Sequence, residues 1–248
     1  AAKLRLSATA TKAARDSNLS IIPETEIVNA NVHVLSREVQ LSIHEGMAQT
    51  FLHTMFGPGS RALQEIAGSR ASYARMEAAA GERDLLTKRE VDFIAARDSF
   101  YMASISEDGW PYVQHRGGPA GFLRRIEGNR IGFSDYRGNM QYLSVANVAA
   151  DDRVALFLMD YPNRRRLKLI GHASTSQDPE IIAALTMPDY PAVPERAFVI
   201  DIIGFDWNCP QHITPRFTEA EIRQGTGPLL DELERLRARV AELEGTDR

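Results

Sequence analysis

The chain has 248 residues, of which 44% are hydrophobic, 25% charged and 8% aromatic, with a net charge of −4. That length buries a full core as one main domain with additions, and the composition is that of an ordinary globular protein. The slightly acidic balance excludes a global basic field that would draw the chain to nucleic acid or to an anionic membrane, so any anion must be held by a local cluster.

The single cysteine, Cys209, excludes an internal disulfide and a cysteine-built zinc knuckle. A reducing compartment, the cytoplasm, is the expectation. No run approaches the roughly 18 apolar residues of a membrane span. Residues 1–43 form an N-terminal extension. Its first twenty residues carry Lys3, Arg5, Lys12 and Arg15 against Asp16 alone, a transit-type composition, although a disordered arm is the favoured expectation. From Glu24 to Ile43 apolar and polar residues alternate loosely, which allows one or two short strands.

Residues 44–86 read as a helical segment packed on the main domain. Met47, Phe51, Leu52, Met55 and Phe56 fall at near-helical spacing until Gly57-Pro58-Gly59 stops them. Further helix is expected over Arg61–Ile66 and Ser72–Ala80. His33, His44 and His53 have no metal-ligand spacing, and no metal site is expected. Thr87-Lys88-Arg89-Glu90 is a capping-box sequence, and the helix it opens, to about Ala96, begins the main domain, residues 87–218.

Short strands follow. Phe100–Ser106 and Trp110–Arg116 flank the turn Glu107-Asp108-Gly109, and Gly121–Ile126 and Arg130–Asp135 flank Glu127-Gly128-Asn129. After a helix over Met140–Asn147 come Arg153–Asp160 and Arg166–Ser174, then a helix over Pro179–Leu185 and a last strand, Ala197–Phe205. Seven short, mostly antiparallel strands with hairpin joints suit a closed or nearly closed barrel, which removes exposed edges. In the C-terminal helix, residues 219–248, Leu229, Leu233, Leu236, Val240 and Leu243 repeat at four, three, four and three. Such a seam packs on the body or on a second subunit.

Nucleophile-elbow, zinc-protease, dinucleotide and phosphate-loop signatures are absent. Strand alternation puts Leu167 and Leu169 toward the core, so Arg166 and Lys168 are expected to project outward. Trp110, Tyr112, Gln114 and Arg116 share a face of their strand. Arg116 and Arg166 as outward-facing cations could grip a phosphate, since guanidinium forks match its oxygens, but spacing alone favours a solvated basic edge balancing Asp151, Asp152 and Asp160. The stretch from Phe205 to Arg216 holds Trp207, Gln211, His212 and Arg216, a density of stacking and hydrogen-bonding groups suited to a planar ligand.

The order of Phe-Tyr-Met-Ala-Ser-Ile-Ser, Pro-Tyr-Val-Gln-His-Arg, Phe-Ser-Asp-Tyr-Arg-Gly-Asn-Met-Gln-Tyr, Asp-Asp-Arg-Val-Ala-Leu-Phe and Arg-Arg-x-Leu-Lys-Leu-Ile-Gly resembles the pyridoxamine 5′-phosphate oxidase-like flavoproteins. The likeness runs from Leu86 to Arg216. It implies a mainly β, α+β fold, an antiparallel split β-barrel that binds FMN and forms a homodimer with flavin sites at the interface. Gln114, His115 and Arg116 would supply flavin contacts, Arg116 to the phosphate. Phe133, Ser134 and Asp135 would lie along the flavin, and Arg137, Gly138, Asn139, Met140 and Gln141 would form a phosphate loop. Arg165 and Arg166 would reach the flavin or its phosphate, while Trp207, Gln211 and Arg216 would close the site, from the partner subunit.

Two departures separate this chain from the vitamin oxidases. Asn139 and Met140 stand where those carry a basic pair, and Ile213-Thr214-Pro215-Arg216 lacks the arginine and histidine that hold the vitamin's phosphate. The resemblance therefore implies an FMN-dependent oxidoreductase acting on something other than pyridoxamine phosphate. His115 and His212 are the candidates for proton transfer near neutral pH. A non-catalytic flavin or heme binder and a deazaflavin-using reductase are the alternatives on the same barrel.

Overall fold

The computed structural model describes residues 50–207 and 209–246; the alternating stretch Glu24–Ile43 and the start of the first expected helix lie outside them. Three short helices, α1 (Phe51–Met55), α2 (Pro58–Ile66) and α3 (Arg70–Ala79), precede the barrel. Next, α4 (Lys88–Ala95) starts at the expected capping box, with Thr87 and Glu90 each satisfying the other's backbone amide.

The strands are β1 (Ser99–Ile105), β2 (Pro111–Gly117), β3 (Arg124–Arg125), β4 (Arg130–Tyr136), β5 (Arg153–Asp160), β6 (Arg165–Ser176) and β7 (Pro194–Trp207). Helices α5 (Leu143–Ala150) and α6 (Pro179–Leu185) interrupt them, and α7 (Glu219–Thr246) ends the described chain. All neighbours are antiparallel, in one sheet of order β2-β1-β5-β6-β7-β4-β3. The fold is a split barrel: the sheet curls until β2 and β4, five places apart in that order, touch through side chains.

Alternation explains the interior. Met102, Leu156, Leu158, Leu167 and Leu169 are fully or almost fully buried in one cluster with Phe100, Phe133 and Phe198. Burial of such side chains contributes about 1.5–3 kcal/mol each relative to exposure. The curl needs a break in the β6–β7 ladder, and the register shifts between Ile170 and Gly171. A Cβ at Gly171 would lie 2.3 Å from the carbonyl oxygen of Asp201, so only glycine fits this bulge. The segment before the barrel is tied down by polar side chains. Asp84 accepts the amides of Phe51 and Phe205, while the Asn129 amide group accepts from Leu86 N and donates to the Asp84 and Ile202 carbonyls.

Several element boundaries differ from expectation, and β7 already begins at Pro194 rather than Ala197. The helix expected from Met140 begins at Leu143, because Met140 and Tyr142 have left-handed φ of 56° and 53°. The strand expected over Gly121–Ile126 contracts to the two residues of β3, which leaves this edge of the sheet short.

Candidate functional site

A small cavity of about 60 Å³ opens where β2 faces β4, roofed by the turn from Gly138 to Tyr142 and the start of α5. Tyr112, Gln114 and Arg116 reach it from β2 and Asp135 from β4. Alternation on β2 is the local cause, since these three half-buried residues share one face while Val113 and His115 take the exposed other. The Gln114 carboxamide oxygen accepts from Ser144 Oγ at 2.6 Å, which ties β2 to α5.

The electrostatic centre is Asp135. Arg116 Nη1 lies 2.5 Å from one carboxylate oxygen and Arg196 Nε 3.5 Å from the other. Arg196 also pairs with Glu195 at 3.1 Å and sits over the Tyr142 ring, while Arg137 reaches Glu195 at 3.0 Å. Three arginines thus meet two carboxylates, a local surplus of one positive charge. Burial pushes the Asp135 carboxyl above its usual range, although Arg116 and then Arg196 pull the other way. Burial likewise lowers Arg116, against the pull of Asp135. The Nε atoms of Arg116 and Arg196 are buried without a hydrogen-bond partner. The Nε atoms of Arg124 and Arg166, outside this cavity, are unpartnered in the same way, and a buried donor of this kind can take an added acceptor.

The structure divides the residues that the sequence singles out. Gln114, Arg116, Asp135, Gly138, Asn139, Met140 and Gln141 meet at the cavity. Arg137 joins their ion-pair network through Glu195. Ser134 turns the other way, its hydroxyl 3.3 Å from that of Thr186. Phe133 is in the core, stacked on Phe198. His115 packs edge-on against Tyr101 on the face away from the cavity.

Arg116 is a correction. Expected to project outward, it points inward across the split of the barrel, with its guanidinium over the Phe133 and Phe198 rings. Alternation sorts a strand's residues into two faces, and only the curl of the sheet decides which face is enclosed. Arg166, on the outer face with Lys168, leaves its own Nε buried and unpartnered, and Lys168 pairs with Asp206 at 2.7 Å.

A second cluster gathers Arg165 and Trp207 against α4. The Trp207 ring meets Phe93 edge-on at 4.8 Å and its Nε1 donates to Glu90 at 2.7 Å. Arg89 and Arg165 stack on that ring at 4.3 and 5.0 Å. Burial works to raise the Glu90 carboxyl, but hydrogen bonds from Thr87 and Trp207 outweigh it and hold it below the usual range. Arg216 lies over Tyr161, and Gln211 and His212 belong to the exposed turn after β7. None of Arg165, Trp207, Gln211, His212 and Arg216 lines the cavity of their own chain.

Sequence reading missed Tyr142, Ser144 and Glu195, which line the cavity, and above all Arg196. It lies three residues into β7, before the expected strand start at Ala197, and its partner Asp135 is distant in sequence. The one available signal was the Glu195-Arg196 pair heading an apolar run. Among the described residues no group of three or more His, Cys, Asp or Glu has a metal-holding arrangement. No described helix is long and apolar enough to cross a membrane.

Residues 86–201 match the family model described as pyridoxamine 5′-phosphate oxidase. No curated protein matches the chain. Among solved structures, HupZ of Group A Streptococcus is 12% identical with a TM-score of 0.42, over 53% of this chain and 99% of that one. An FMN-binding protein from Syntrophomonas wolfei is 10% identical with a TM-score of 0.39, over 58% and 97%. General Stress Protein 26 from Bacillus anthracis is 13% identical with a TM-score of 0.37, over 51% and 92%. Over residues 86–201, somewhat under half of its length, the chain is thus similar to the pyridoxamine 5′-phosphate oxidase family.

Proposed function

We propose that this protein is a homodimeric, FMN-dependent oxidoreductase whose substrate is not pyridoxamine phosphate. The observation that carries the reading is the Arg116–Asp135–Arg196 cluster, whose two buried guanidinium Nε atoms make no hydrogen bond, beside the Gly138–Tyr142 turn. These residues fit a phosphate: Arg116 and Arg196 supply the charge that Asn139 and Met140 do not. The Gln114 carboxamide, held by Ser144, and the Tyr112 and Tyr142 rings offer polar and stacking contacts to a planar ligand. A cavity of about 60 Å³ admits only an end of such a ligand, since drug-sized ligands occupy roughly 300–1,000 Å³. The rest would be covered by a second subunit.

When bound, the flavin supplies hydride or electron transfer, and the protein supplies binding, orientation and exclusion of water. Asp135 opposes the phosphate and holds the two arginines in place until it arrives. Neither His115 nor His212 lines the cavity of its own chain, so proton transfer by either would have to occur at the partner's site.

The test is spectroscopic. The purified protein should be yellow, or take up FMN at micromolar concentration, and release a species with flavin absorption on denaturation. A Soret band would favour the heme-binding alternative, and preferential uptake of a deazaflavin would favour the third. Failure to bind FMN at all sinks the proposal. Bleaching of the bound flavin by NADH or NADPH separates an enzyme from a carrier. Arg116→Ala should weaken FMN binding by about 1.5–3 kcal/mol, as expected for a charge-assisted bond; unchanged affinity removes that role.

A further inference from the structure

The helix α7 presents an apolar seam that its own described chain leaves uncovered. Leu229, Leu233, Leu236, Val240 and Leu243 are 43–71% exposed. Counting back one heptad adds Ile222, also exposed, with Thr226 between. Ile222, Leu229, Leu236 and Leu243 then occupy d, and Thr226, Leu233 and Val240 occupy a. Pro228, inside the helix, falls at c, off the seam.

The flanking charges identify the occupant. Glu232 is at g and Arg237 at e, five residues on; Arg239 is at the next g, and the sequence puts Glu244 at the following e. In a parallel, in-register pair of helices each g faces the e of the next heptad in the other strand. Both such contacts are then between opposite charges, and by symmetry each occurs twice. An antiparallel pairing that aligns the same apolar residues sets Arg237 against Leu230 and loses half of this match. Among the described residues, Glu232 and Arg239 meanwhile pair with exposed neighbours on their own helix, Arg235 and Glu242. Exposed pairs of this sort contribute little and exchange readily.

We propose that α7 docks against α7 of a second copy of this chain, as a parallel two-stranded coiled coil centred on Leu236. This contact is separate from any barrel–barrel interface and does not depend on flavin binding. The seam is short, so alone it associates weakly.

Interchain disulfide formation in the full chain tests this, with the native exposed Cys209 replaced by serine. Leu243→Cys at d should cross-link two copies roughly tenfold faster than Ala238→Cys at f, because the effective thiol concentration is raised only on the seam. An antiparallel pair would hold the two residue-243 positions far apart and give no product. Arg237→Glu, which sets like charges at the g–e contact, should suppress the cross-link, and Glu232→Arg combined with it should restore the cross-link. Equal rates at 243 and 238, no interchain product from Leu243→Cys, or indifference to Arg237→Glu would each overturn the proposal. Protection of Leu243→Cys from alkylation without an interchain product would mean that the same chain, residues 1–49 included, covers the seam, and would overturn it as well.

Discussion

Two arginine clusters sit on this barrel and hold their cations differently. At the split, Arg116 and Arg196 converge on Asp135 and leave Nε donors unsatisfied. Against α4, Arg165 and Arg89 lie flat on Trp207, whose ring is fixed by Phe93 and Glu90. An aromatic face accepts a guanidinium without desolvating a carboxylate and offers nothing that a ligand must displace. A buried carboxylate pair is costly on both sides, and a better anion can compete for it. On the proposed reading the first cluster is arranged for exchange and the second for permanence.

The largest effect should come from the permanent cluster. Trp207→Ala removes a ring packed on the core and strands Glu90, and should cost about 3 kcal/mol in urea unfolding. It should leave the ratio of FMN to riboflavin affinity of its own site unchanged; a changed ratio would erase the distinction between the clusters, or show that Trp207 reaches the partner's site. Arg116→Ala leaves Asp135 with only the 3.5 Å contact to Arg196 and should cost about 2 kcal/mol, below the usual range for breaking a buried pair because one partner remains. Differential scanning of the two variants side by side checks the order.

Arg196→Ala should lower the preference for FMN over riboflavin by roughly tenfold, the worth of one charge-assisted contact, with Arg196→Lys intermediate. Asp135→Asn should raise that preference, since it removes the competing anion. If both substitutions move the ratio the same way, the exchange reading fails. Arg165→Ala should cost only about 0.5–1 kcal/mol, as for an exposed cation–π contact.

The smallest test is a carboxyl titration followed by NMR. Asp151, hydrogen-bonded by Arg153, is lowered to about 2 from an ordinary 3.8. The folded state therefore binds the proton less readily than the unfolded chain. Asp151's contribution to stability is present above pH 3.8 and is lost as pH falls toward about 2. Asp135 is shifted upward, chiefly by burial, so the folded state binds its proton more readily. The part of stability that follows Asp135 therefore declines as pH rises from its unfolded value through its folded one. Arg153→Ala should return Asp151 toward its ordinary value and leave Asp135 where it is.

The frame of the fold was legible because it rests on local rules. The box at Thr87, the glycine turns at 109 and 128, both with positive φ, and the alternation that buries Leu167 and Leu169 are all written within a few residues. The site was legible in part. Residues 137–141 and Gln114 were found through their resemblance to family motifs, but the inward aim of Arg116 depends on how far the sheet curls, which no single strand encodes. Arg196 was missed because its significance is Asp135, across the sheet. Trp207 was noticed for its chemistry, whereas the structure employs it in its own chain as packing.

The matched segment begins at Leu86, yet the molecule draws no line there. The Asn129 side chain spans Leu86 N, Asp84 O and Ile202 O, and Arg83 reaches the same Ile202 carbonyl. A fragment cut at residues 86–201 would lose Asp84 and Ile202 together. The carboxamide would then face a hydrophobic interior with its donors unsatisfied. The hydrogen bonds that anchor the barrel therefore extend past both ends of the matched segment, so a fragment meant to fold should carry the approach segment with it.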